Sequence, residues 1–74
     1  MTAQEWISAF AQELGVEPPS DDEFNAMLDL AAVAAHDSER VAAPVACWIG
    51  GASDRPLDEL QAIAERIAPS DEPG

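Results

Sequence analysis

The sequence predicts a small all-α domain of four short helices around a central, largely buried second helix. Two capping boxes, Thr2 with Glu5 and Ser20 with Glu23, each precede an apolar pattern, and that arrangement marks a helix start. Apolar residues recur at spacings of three and four, as helix faces require. No alternating strand pattern competes with them anywhere in the 74 residues.

The first helix is expected from Ala3 to Leu14, with Trp6, Ile7, Phe10, Ala11 and Leu14 on one face. Gly15 follows where a left-handed cap sits. Val16-Glu17-Pro18-Pro19 then forms a stiff connector, because each proline disfavours helix in the residue before it. Ser20 opens the second helix, and Asp21 and Asp22 complement its positive dipole end. Phe24, Met27, Leu28, Ala31 and Ala35 make one apolar stripe, and Leu30, Val33 and Ala34 make another. A helix apolar on nearly all sides is a buried helix, so Leu28 is expected in the core.

The polar run His36-Asp37-Ser38-Glu39-Arg40 ends that helix. A third helix is expected with Pro44 in its first position, Val45 to Ile49 as its apolar face, and Gly50-Gly51 as its end. The fourth begins near Pro56 with Ser53 or Asp54 as its cap, carries Leu57, Leu60, Ile63, Ala64 and Ile67 at helical spacing, and stops at Pro69. Residues 1–68 therefore read as one domain and residues 69–74 as a flexible C-terminal tail.

A chain this short buries only about 60% of its unfolded surface, which leaves a thin margin of stability. Cys47 is the single cysteine, so no internal disulfide is available, and the cysteine usage fits a cytoplasmic protein. Glu5 and the lack of a basic cluster are unlike a signal peptide. The longest apolar stretch, Val41 to Ile49, is interrupted by Pro44 and too short to span a bilayer. Fifteen acidic residues face three arginines, for a net charge of −12. Such a chain repels phosphate backbones and anionic lipid heads, so nucleic acid and membrane are excluded as partners, whereas a basic protein would be steered toward it. Solubility alone also accounts for the charge.

The only candidate site is the segment containing His36, Glu39 and Arg40. In one reading, His36 and Arg40 face a phosphate, a carboxylate or a partner, helped by free backbone N–H groups at the start of the third helix. In the other, they satisfy the last carbonyls and the dipole of the second helix, with Glu39 or Asp37 paired to Arg40. Asp37-Ser38 near the middle of an acidic, helical chain is similar to the modified serine of acyl carrier proteins. There, however, an apolar residue follows the serine and a helix starts at it; here Glu39 follows, and the apolar helix comes before. One His and one Cys are too few for a structural zinc site. Cys47, between Ala46 and Trp48, reads as a small buried hydrophobe, and Trp6 and Trp48 read as core. With no paired acid and base at a workable spacing, the chain is not expected to be an enzyme, and no cofactor is expected.

Three stretches together resemble a known family. They are the Glu5-Trp6-Ile7 helix leading to Glu13-Leu14-Gly15, Leu28-x-Leu30-Ala31 running into Ala35-His36, and Glu39-Arg40-x-Ala42-Ala43-Pro44 before a short apolar helix. The chain resembles the small actinobacterial domain of unknown function found alone or fused to the C-terminus of molybdenum cofactor guanylyltransferase. Many relatives carry Pro where this chain has Val41. The resemblance implies an accessory or protein-interaction domain in molybdenum cofactor biosynthesis. The partner it implies is that guanylyltransferase or a molybdoenzyme maturation factor, and the chain itself is expected to be a monomer or weak homodimer. An anion-binding regulatory domain using His36–Arg40 is the alternative.

Overall fold

In a computed structural model, described here for residues 1–67, the chain forms four helices: α1 (Ala3–Leu14), α2 (Asp21–Asp37), α3 (Ala42–Ala52) and α4 (Leu57–Glu65). No strand occurs among the described residues. The proposed tail, residues 69–74, lies outside them.

Both capping boxes form as the sequence requires. Glu5 N–H donates to Thr2 Oγ1 over 3.1 Å and Thr2 N–H donates back to Glu5 Oε1 over 2.6 Å. Ser20 and Glu23 repeat the exchange at 3.1 and 2.8 Å. Gly15 closes α1 at φ 76°, the left-handed geometry that glycine adopts without strain. Further along, α2 ends at Asp37 with Ser38 as its cap.

The third helix departs from expectation at both ends. It begins two residues earlier, with Pro44 still inside the first turn, where a missing N–H costs no helix bond. It also runs through Gly50-Gly51 instead of stopping there. Gly50 is buried, and a Cβ on it would lie 2.9 Å from Leu60 Cδ1 and 3.5 Å from Leu30 Cδ2. The glycine is therefore a packing device and not a terminator. Termination falls to Ser53, whose N–H reaches the Ile49 and Gly50 carbonyls and whose Oγ donates to Gly50 O at 2.6 Å. Asp54, at φ 63°, then turns the chain. Because Ser53 closes α3, neither it nor Asp54 caps α4. Pro56 holds that position without a side-chain bond, and Arg55 pairs with Glu59 along the new helix. Helix α4 ends at Glu65, ahead of the expected stop at Pro69, which lies outside the described residues.

Helix α2 is central: it packs against α3 and against α4, and α1 has no comparable packing partner. The molecule is elongated accordingly, 45 by 25 by 18 Å. Within α2 burial is uneven. Leu30 is 6% exposed, but Leu28 is 53% exposed and does not belong to the core. The error in placing Leu28 comes from an apolar run too even to reveal which side faces α3 and α4. Trp6 and Trp48 are likewise surface residues, 54% and 75% exposed. The inward face of α3 is built from small residues, Ala42, Ala43, Ala46, Cys47 and Gly50, which leaves no room for a tryptophan there.

Leu30→Ala should cost about 2–5 kcal/mol, as a buried leucine truncated to a cavity does. Leu28→Ala should cost under about 1 kcal/mol, since half its surface is already in water. Urea unfolding of the two variants measures both. Equal losses would contradict the orientation of α2.

Candidate functional site

The segment holding His36, Glu39 and Arg40 crosses from α2 to α3. His36 lies in the last turn of α2, exposed, with Nδ1 3.3 Å from Asp37 Oδ1. Glu39 and Arg40 occupy the turn itself. Their carbonyls accept the N–H groups of Ala42 (2.9 Å) and Ala43 (3.1 Å). Both side chains are exposed, and among the described residues neither forms an ion pair. Arg40 thus pairs with neither Glu39 nor Asp37, and the N–H of Ser38 donates to the Ala34 carbonyl at the end of α2.

That geometry bears on an anion site. The first two N–H groups of α3 are bound to Glu39 and Arg40 carbonyls, and Pro44 has none to offer. The depression beside His36, about 370 Å³, is lined by Ala32, Val33, Asp37 and Glu65, so two carboxylates share it with the imidazole and Arg40 does not. A second groove, about 270 Å³, runs between α2, α3 and α4 past Leu30, Val33, Ala46, Ala64 and Ile67. Its lining is almost wholly apolar. No group of three or more His, Cys, Asp or Glu stands together to hold a metal among the described residues. No helix there is long and apolar enough to cross a membrane.

The most prominent surface features are two apolar faces that sequence reasoning assigned to the core. On α1, Trp6, Phe10 and Leu14 follow at intervals of four and all are exposed. The Trp6 and Phe10 rings stack with centroids 5.2 Å apart. Ile7 and Ala11, a quarter turn away, are the residues that α1 turns inward, Ile7 toward Phe24 and Pro19 at the start of α2. On α3, Val41, Val45, Trp48 and Ile49 are exposed. The buried hydrophobics among the described residues are only Ala11 and Leu30. Periodicity could not separate these faces from a core, since both are apolar. The available signal was size: along α3 the large residues fall on one side and the small ones on the other.

Cys47 lies on the inner side of α3, half-buried, with Sγ 3.8 Å from the Met27 carbonyl. Burial pushes its thiol up from the ordinary value, the opposite of what a nucleophile needs. At about pH 8 its alkylation by iodoacetamide should be several-fold slower than that of a cysteine in an unstructured peptide. A rate equal to or above the peptide's would restore Cys47 as a candidate nucleophile.

The sequence profile of one family, described as a domain of unknown function (DUF6457), matches residues 1–71. The chain belongs to that family. No curated protein and no solved structure matches it.

Proposed function

We propose that this DUF6457 domain is a protein-interaction module that docks through the apolar stripe of α1. The observation carrying the proposal is that stripe. Trp6, Phe10 and Leu14 stand in solvent on a helix with no close packing partner of its own. Isolated exposed apolar residues are ordinary, but a contiguous aromatic patch on a soluble chain marks a contact surface. Tryptophan at the centre of such a patch carries much of the binding energy in protein interfaces. Glu5, Glu13 and Glu17 surround the stripe in sequence, and the chain as a whole is at −12. The complementary surface is therefore an apolar cleft with a basic rim.

The finer reading places the module in molybdenum cofactor maturation, with molybdenum cofactor guanylyltransferase as the partner, in a cytoplasmic, actinobacterial setting. Its support is the resemblance carried by Glu5-Trp6-Ile7, Leu28-x-Leu30-Ala31 and His36-x-x-Glu39-Arg40-x-Ala42-Ala43-Pro44. In this reading the domain catalyses nothing and holds no cofactor. It presents or recruits the enzyme that does. The anion-binding alternative through His36, Glu39 and Arg40 has weaker support, because the N–H groups it would recruit are occupied and His36 is bordered by carboxylates.

Calorimetric titration against the guanylyltransferase of the same organism tests the proposal. Trp6→Ala should weaken binding by about 2 kcal/mol or more, some thirty-fold, and leave the melting temperature within a few degrees of the parent. Undiminished affinity in Trp6→Ala would remove α1 from the interface, and no binding by the parent would remove this partner. Inorganic phosphate should leave the amide signals of residues 36–40 unmoved; a saturable shift there would favour the anion-binding reading instead.

A further inference from the structure

A second face remains after α1 is assigned. From Val41 to Ser53 the chain carries no charged residue, although charged side chains make up 24% of the sequence. Val41, Val45, Trp48 and Ala52 follow at intervals of four, three and four, the seam of a two-helix packing, and all four are exposed, with Ile49 beside them. The other side of α3 is satisfied by α2 and α4 at Gly50.

We infer that this face is a self-association surface, on which α3 of one copy packs antiparallel against α3 of a second copy. Charge decides both the occupant and its direction. A foreign basic partner would have no acid within the seam to meet, whereas a second copy brings neutral surface to neutral surface and keeps the acidic remainder of the two chains outside it. At the N-terminal end stand Glu39 and Arg40, unpaired among the described residues. At the other end Asp54 is exposed and unpaired, while Arg55 is engaged by Glu59. Parallel packing would set Arg40 on Arg40 and Asp54 on Asp54. Antiparallel packing sets Arg40 of each copy by Asp54 of the other, twice, as two-fold symmetry requires.

The area is sufficient for a modest dimer. Trp48, three-quarters exposed, offers most of the 150–250 Å² that an aromatic side chain buries. With Val41, Val45, Ile49 and the small residues between them, the face amounts to on the order of 500 Å² per copy, or about 1,000 Å² for the pair, near the lower bound for a specific interface. An interface at that lower bound is a weak, reversible one.

Sedimentation equilibrium over roughly 5–500 µM, the range in which a weak dimer forms, tests the inference on the full chain. The expected result is a rise from the monomer mass of 7.8 kDa toward twice that value, abolished by Trp48→Glu. Phe10→Glu should leave the rise intact, which separates this surface from the α1 docking proposed above. The direction is tested by charge exchange. Arg40→Glu and Asp54→Arg should each fail to self-associate, and their equimolar mixture should recover dimer. Because Asp54 has a positive φ, helicity of each variant is checked by circular dichroism. Asp54→Asn, which introduces a residue that adopts that φ readily, removes the charge without the strain and should weaken self-association. A monomer at every concentration, or a dimer lost in Phe10→Glu and kept in Trp48→Glu, would overturn the α3 interface. A dimer lost in Trp48→Glu but not recovered in the Arg40→Glu and Asp54→Arg mixture, and unaffected by Asp54→Asn, would overturn its antiparallel direction.

Discussion

At Gly50 three helices meet closely: a Cβ there would press on Leu60 Cδ1 at 2.9 Å, so that side chain would have to give way, and would touch Leu30 Cδ2 at ordinary contact distance. Glycine within a helix costs about 1 kcal/mol relative to alanine, and the close approach of α3 to α2 and α4 is what offsets it. Gly51, the next residue, has nothing within 4 Å of its would-be Cβ. The pair is thus not a unit: one glycine builds the junction and its neighbour faces solvent. Ala42, Ala43, Ala46 and Cys47 extend the same requirement along α3, each small enough to keep the helix against α2.

A junction made of small residues has a consequence for everything apolar that is not small. Large side chains on α3 have no place inside and stand on its far side. On α1 the same result arises differently. Ile7 and Ala11 turn toward the start of α2, and Trp6, Phe10 and Leu14 are left outward. The polarity pattern that usually separates inside from outside is replaced by a size pattern, and apolar surface in water is the price. The net charge of −12 opposes nonspecific association of copies through such surface.

This explains which parts of the structure were legible in the sequence. Helix starts were, because a capping box is a local exchange of two hydrogen bonds that depends on four consecutive residues; Thr2–Glu5 and Ser20–Glu23 form as read. The left-handed Gly15 was legible for the same reason. What failed was non-local. Whether Gly50 ends a helix or lets another in depends on Leu60, ten residues later, and whether Leu28 or Leu30 faces the core depends on where α3 and α4 lie. The candidate segment was correctly placed between helices, but its chemistry was not legible. The sequence offers Arg40 as a cap, as a partner of Glu39 or Asp37, or as an anion or partner contact, and among the described residues it forms no ion pair. The two apolar faces were visible only as hydrophobicity, which says that a residue avoids water and not what covers it.

Stability and association are then hard to separate in this chain. A single small core commonly supplies no more than about 3–5 kcal/mol, and here the core is centred on Leu30, Ala11 and a glycine. A partner that binds the folded state alone and is present at a hundred times its dissociation constant adds about 2.7 kcal/mol, comparable with the whole margin. Covering Trp6 or Trp48 would therefore do two things at once. It would remove apolar surface from water, and it would hold in place the helix that carries the surface. For α1, which has little tertiary packing of its own, the second effect is the larger: a helix of 12 residues is at the length where isolated helices are marginal, and its capping box alone is worth about 1 kcal/mol. The order of α1 and the occupancy of its apolar stripe are on this account one equilibrium.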